Sequence, residues 1–485
     1  EKIWTIQELE LMEPFDVVCL QCKLIFGSKS GAPDHSKTHN KFYRYDQKNE
    51  VRLREIKEKE TIITDNDQIK LKEKLDTLKK ESDKYSTKIF LAIKVGLSSA
   101  IQMKISEETH PFTILFNGNI TNREIILNSF KKIPDNVYLN SFTPKSFVSH
   151  SARHSTKDLK DIDLLPKINN NVLITPNVDS IFLGNKPTVN DSITMLDVVL
   201  EGNGYESHSA VHGVRGYVEK CNFVWLGTIN QINKRIFDAI VRMNNKPLFF
   251  KLDDKELEMS SMDEMLNSLN EDQNLLDNEI ISSLDELWGV ISELFSNKKK
   301  RIRWDSNKDN NKIRQVIVNL SMFLRDFRAY LPTQNTAEST SGGTNYNFDT
   351  PIKEDFDRLS KTLYNLARGH AIIYGRCYLT TDDLEIIFHV VMSSIPKDRL
   401  KLFEVLFSNK GAADTIQIEK CLLVSKTTAL KEMEKLRILG IVDNYKVDGK
   451  SKPTSSIELK NEYGWILEDK FKIYLKEIIL IHTVD

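Results

Sequence analysis

The chain has 485 residues, 28% charged and 40% hydrophobic, with a formal net charge of −1. That length holds two to four domain cores, and the near-zero balance conceals strong local asymmetry. No apolar run reaches the roughly eighteen residues of a membrane span and the first residues carry no signal-peptide pattern, which excludes an integral membrane protein and leads us to expect a soluble, cytoplasmic one. Of five cysteines, Cys221, Cys377 and Cys421 are isolated, which excludes a disulfide framework and fits a reducing compartment.

Residues 1–48 form a small unit around Cys19, Cys22, His35 and His39. Two residues separate the cysteines, twelve separate Cys22 from His35, and three separate the histidines. This is the spacing of a two-Cys two-His zinc finger, in which a β-turn presents two thiolates and one helical turn puts both imidazoles on one face of a tetrahedral ion. Phe26 stands where such fingers keep a core aromatic, and Ala32 replaces the usual leucine. The positions that normally face bases are Ser28, Gly31 and Asp34, none suited to base reading, so a structural or protein-docking finger is expected.

Residues 49–86 are Lys/Glu-rich and read as a solvated helical connector. Over 87–251, short apolar runs (TILF, NVYL, NVLI, FVWLG, PLFF) alternate with helix-like segments, the pattern of a mostly parallel sheet flanked by helices. Residues 252–397 open on an acidic stretch, pass through the basic run 298–303 and a helix over 305–331, and continue in a Gly/Ser/Thr/Asn-rich linker over 333–350. Two helices follow, the second started by Thr380 with Asp382 and Asp383 as its acidic cap. In 398–485, helices over 399–407, 416–423 and 425–439 precede a hairpin turned at Asp448-Gly449, a winged helix-turn-helix pattern. Its third helix leaves Lys426, Thr427, Lys431 and Lys435 for a groove or for phosphates, with Lys450 and Lys452 on the wing.

The segment RLSKTLYNLARGHAIIYGRCYLTTDDLE, Arg358 to Glu385, resembles the sensor-2 lid of minichromosome maintenance (MCM) helicases and their mobile-element relatives. The fold implied is an AAA+ α/β core with a helical lid, carrying the winged helix and the finger as flanking units. Arg358 takes the sensor-2 place and His370-Ala371 closes the motif. In HPFTILFNGNITNREIILNSF only Gly118 of the phosphate-binding loop survives, and Arg123, Glu124 and Ile125 stand where Gly, Lys and Thr belong. A carboxylate some 4 Å from a phosphate costs about 4 kcal/mol at an intermediate dielectric, so tight ATP binding is not expected. LLPKINNNVLITPNV resembles the Walker B strand with Asn177 in place of the acid, and FVWLGTIN resembles sensor 1 with Thr228 or Asn230 at its tip. Pro247, beside Lys246, stands at the arginine-finger place. The glycine-rich 201–220 resembles the DNA-channel hairpin, with Arg215 as its phosphate contact.

The resemblance, with these departures from it, therefore implies a DNA-associated pseudo-ATPase acting as a regulatory or adaptor subunit in replication or mobile-element maintenance, homo-oligomeric or in a mixed ring with active subunits and nucleoid-associated, while the Cys/His spacing implies zinc. An active helicase with divergent motifs and a DNA-binding transcriptional regulator are the alternatives.

Overall fold

The computed structural model describes residues 17–19, 25–26, 42–44, 60–61, 63–84, 86–105, 109–149, 156–183, 186–209, 213–244, 246–252, 273–294, 301–335, 346–446, 455–476 and 478. They fall into two units, one of 1–62 with 294–303 and one of 63–293 with 304–485. In the first, β1 (Val17–Cys19) is the centre of an antiparallel sheet between β2 (Ile25–Phe26) and β3 (Phe42–Arg44). A parallel pair joins β4 (Glu60–Thr61) to β12 (Arg301–Ile302), so the end of the basic run is a strand.

The second unit is built on five parallel strands: β5 (Phe112–Asn117), β6 (Asn136–Tyr138), β7 (Val172–Thr175), β10 (Val224–Ile229) and β11 (Leu248–Lys251). Their spatial order is β11-β5-β10-β7-β6. Each expected apolar run falls on one of them. The inner strands read as unbroken apolar sequence because helices cover both faces, and all six residues of β10 are buried. The crossovers are α3 (Ile120–Phe130) after β5, α4 (Thr156–Ile162) and α5 (Leu164–Ile168) after β6, α6 (Asp179–Leu183) and α7 (Lys186–Val199) after β7, and α8 (Lys234–Val241) after β10. The hairpin β8 (Tyr205–Ser209) and β9 (Gly213–Tyr217) is inserted between α7 and β10. Trp225, Phe147, Phe182 and Phe249 anchor the core on one face of this sheet.

Two helices precede the sheet, α1 (Asp65–Asp83) and α2 (Thr87–Ile101). The expected solvated connector is not what α1 provides. Leu71, Leu75 and Leu78 recur at helical spacing and are buried, and Thr64 starts the helix with a reciprocal capping box to Asp67. Composition rich in Lys and Glu hid a three-leucine stripe.

The helical part comprises α9 (Gln273–Leu294), α10 (Asn311–Arg328), α11 (Phe356–Ile373) and α12 (Leu384–Ser393). The ends of the expected linker pair as strands, β13 (Thr333–Asn335) with β14 (Tyr346–Phe348). Thr380 caps the turn into α12 through a box with Asp383. Asp383 also accepts from His370 Nδ1 at 2.7 Å and from both Arg376 terminal nitrogens at 2.8 Å. One carboxylate thus joins the His of the first lid helix to the cap of the second. Burial pushes the Asp383 carboxyl up, but the bonds from His370 and Arg376 outweigh it and hold it below the ordinary value.

The C-terminal segment runs helix, strand, helix, helix, strand, strand: α13 (Lys397–Ser408), β15 (Ala412–Asp414), α14 (Thr415–Leu422), α15 (Lys426–Ile438), β16 (Val442–Lys446) and β17 (Ser455–Leu459), then α16 (Asp469–Lys476). Its antiparallel sheet is ordered β15-β17-β16. Ala429, Met433 and Leu436 face the interior, as the periodicity of α15 requires. The segment is anchored to the lid. Tyr463 donates its hydroxyl to Asp326 of α10, Arg399 donates to the carbonyls of Phe327 at 2.6 Å and Ala329 at 2.7 Å, and Tyr474 stacks on Phe388 of α12 at 5.0 Å.

Candidate functional site

Parallel α/β sheets bind ligands at the carboxyl ends of their strands, where helix N-termini offer unpaired N–H groups. The expected phosphate loop lies at that end, between β5 and α3. The connection consists of Gly118 and Asn119 alone. Asn119 is the helix cap, and its side-chain oxygen accepts the Asn122 N–H at 2.8 Å, so the chain itself takes one of the donors a phosphate would use. Arg123, Glu124 and Ile125 are not loop residues. Arg123 donates its backbone N–H to Asn119 O at 3.2 Å, and its Nε reaches the same carbonyl at 3.4 Å. Glu124 is exposed on the helix surface and Ile125 is buried in the core.

The neighbouring strand ends are tied together by amides. Asn117 donates its side-chain amide to the carbonyls of Ile229 at 3.2 Å and Asn230 at 2.7 Å. Thr228, fully buried, donates its hydroxyl to Pro176 O. Asn177 accepts the Asp179 N–H at 2.8 Å, and the Asn230 side-chain amide donates to Asp179. Gly118, Asn177, Thr228 and Asn230 therefore gather at one end of the sheet, with their polar groups directed at one another. Asp179 is the carboxylate that sequence reasoning missed. Its signal was an acid two residues past Asn177, opening a short helix.

Arg358 lies elsewhere. Asp355 caps α11 and accepts the Arg358 N–H at 2.6 Å, which fixes the first turn of the helix. The guanidinium is largely buried in the field of Glu201, Glu354, Asp197 and Arg328, and burial lowers its pKa. Lys246 bridges to Glu201 at 2.5 Å and to Asp197, while Arg328 pairs with Glu354 at 3.0 Å and donates to Pro247 O at 3.2 Å. Pro247 precedes β11, and Gly202 bonds Cys221 just before β10, so this ionic cluster sits at the amino end of the sheet. Neither Arg358 nor the Lys246-Pro247 pair joins the strand-end residues.

Arg215 lies on β9 opposite Ser207 and is half-buried. It lines a cavity of about 230 Å³ with Lys160, Asp163, Tyr217 and Glu219. Tyr217 donates its hydroxyl to Asp163 at 2.7 Å, which together with burial raises the phenol's pKa. On α15, Ser425 caps the helix, and Lys426 and Thr427 are exposed. Lys435 pairs with Glu432 at 2.5 Å, as does Arg437 with Glu434, so part of the expected positive charge is internally neutralised. Lys450 and Lys452 lie outside the described residues, as do Cys22, His35, His39 and the side chain of Cys19. Among the described residues no helix is long and apolar enough to cross a membrane.

No family profile matches the sequence, and no curated protein matches it. The solved structures that resemble it include these two. One is a presumed ATPase from Cytophaga hutchinsonii, 13% identical at a TM-score of 0.32, with 71% of this chain and 91% of that chain covered. The other is a full-length MCM homolog from Methanopyrus kandleri, 10% identical at a TM-score of 0.36, covering 68% of this chain and 62% of that one. The class is defined by the core itself. Numbered along the chain, the five parallel strands stand in the order 5-1-4-3-2, with helices on both faces and a helical part after the fifth, and this is a doubly wound parallel α/β core.

Proposed function

We propose that the chain is an MCM-like AAA+ protein that associates with DNA without turning over ATP, and that it acts as a regulatory or adaptor subunit in replication or mobile-element maintenance. The observation that carries this reading is the two-residue Gly118-Asn119 connection, closed by its own cap where a phosphate loop requires several free N–H groups. The amide ties of Asn117, Asn177 and Asn230 support it, since Asn177 can orient a water but cannot accept its proton. In this reading Cys19, Cys22, His35 and His39 hold one zinc ion. DNA phosphates are met by Arg215 and by the C-terminal unit, whose winged helix offers Lys426, Thr427 and Lys431, with Lys450 and Lys452 on the wing; Lys435 contributes less because Glu432 holds it. The chain assembles with itself or with active ring subunits.

The test is phosphate release and Mg-ATP binding by the purified chain, with and without DNA. The expected result is neither, and Glu124→Lys changes nothing because residue 124 is one turn inside α3. DNA-stimulated turnover above a purification control would establish the active-helicase alternative instead.

A further inference from the structure

The short helix α14 is held to the C-terminal unit by Thr415 and Ile418, both buried. Its opposite face is unusual. Ile416 is 51% exposed and Leu423, seven residues on, is 88% exposed. Leu423 closes the helix in the left-handed conformation, φ 55 and ψ 45, which residues other than glycine, asparagine and aspartate seldom adopt. The fold gains nothing from a β-carbon there or from the side chain beyond it. Lys420 lies exposed between the two aliphatics and Lys426 is exposed just past the turn, with Glu419 half-exposed at the edge. The acids of α15 leave the stripe positive, because Glu432 and Glu434 are taken by Lys435 and Arg437.

We propose that the outer face of α14 and the α14–α15 turn form a docking site for an acidic amphipathic helix of a partner protein. Ile416 and Leu423 would meet its aliphatic stripe while Lys420 and Lys426 would meet the flanking carboxylates. Alternating apolar and basic positions along two helical turns complement the spacing of anchors on such a helix. A polyphosphate surface satisfies the lysines but leaves both aliphatic side chains in water, so DNA is the poorer occupant of this stripe. Lys426 is shared with the proposed DNA contact, so peptide and duplex should compete for the full chain, whereas Ile416 and Leu423 belong to the peptide site alone.

The probe is a fluorescent peptide of roughly twenty residues built from Leu-Glu-Glu-Met-Leu-Glu-Asp repeats, whose binding to the full chain is followed by anisotropy. Its affinity should fall about tenfold for Leu423→Asp and again for Ile416→Asp, and should be kept by Leu423→Met. Both sites are too exposed for these changes to unfold the unit, and unchanged melting checks this. Lys420→Glu should weaken binding at low salt and erase part of its salt dependence. Equal binding of a peptide with glutamine and asparagine for its acids would overturn the proposal, as would indifference to Leu423→Asp. So would self-association of the chain that Leu423→Asp abolishes with no peptide bound, since the occupant would then be a second copy.

Discussion

Gly369 lies in the interior of α11 where that helix crosses α2, and a β-carbon built on it would stand 2.7 Å from the Ser98 carbonyl carbon and closer still to its oxygen. Two effects of Gly369→Ala oppose one another. Alanine is favoured over glycine inside a helix by about 1 kcal/mol, so on propensity alone the variant should be more stable. Overpacking against atoms that cannot rotate away costs typically 1–3 kcal/mol, and here the obstacle is main chain in a helix buried on nearly every face. Because the clash is with backbone well inside van der Waals contact, the cost lies in the upper part of that range and the crossing should win by about 1–2 kcal/mol, a fall in melting temperature of roughly 1–2 °C for a unit of about 400 residues. Ser98→Ala should give no relief in the double variant, because the offending atoms belong to the backbone. Thermal unfolding followed by circular dichroism is the assay. A Gly369→Ala protein that melts at or above the parent would refute the close crossing and the lid packing drawn from it.

A second expectation concerns His389, stacked on Phe250 at 6.1 Å and held down to about 3 by burial, with Lys88 and Lys94 adding to the effect. Because the folded value is depressed, the histidine favours the fold above pH 6.5 and that contribution is lost as pH falls toward 3; at pH 5 the loss is about 2 kcal/mol, and His389→Leu should flatten the stability profile between pH 7.5 and 5 by that amount. Parallel profiles for parent and variant would sink this assignment. Elemental analysis should find one zinc per chain, lost in Cys19→Ala with a lower melting point; a metal-free parent, or no change on substitution, removes the finger. Duplex binding by the full chain should fall steeply with salt, and Lys426→Gln with Lys431→Gln should weaken unrelated sequences alike and flatten the slope by roughly two units, whereas a preference for one duplex that survives high salt would mean base reading.

Much of the architecture was legible because its causes are local. A strand covered on both faces must be apolar throughout, so VLIT and FVWLGTI announced β7 and β10 without help from the rest of the chain. Caps did the same for the lid and for α15, where Thr380 and Ser425 stand one residue before the turns they start. What escaped reading depends on lengths and directions set by distant residues. Placing Arg123 to Ile125 in a phosphate loop assumed a loop of fixed length, yet Asn119 with Asn122 already spelled a cap that starts the helix at Ile120. Arg358 lies in the first turn of α11, where the apolar spacing puts a helix, but no local pattern connects it to Glu201 and Asp197, whose charges its guanidinium feels.

The amide network satisfies the strand ends of the parallel sheet from within the chain. Where three parallel strands finish side by side, carbonyls and helix N–H groups are left over, and each needs a partner. Asn117, Asn119 and Asn177 supply those partners with neutral side chains that need no counter-charge, while the Asp179 carboxylate takes the backbone and side-chain N–H groups of Asn230. An anion entering at the strand ends would have to break these bonds. A ligand that binds only the folded chain raises its melting temperature by mass action, and with these donors already engaged Mg-ATP has little to gain. The melting temperature should therefore be indifferent to millimolar Mg-ATP in the parent, whereas Asn119→Gly, which removes the cap while sparing the turn, is the change that would reopen the helix N-terminus to an anion.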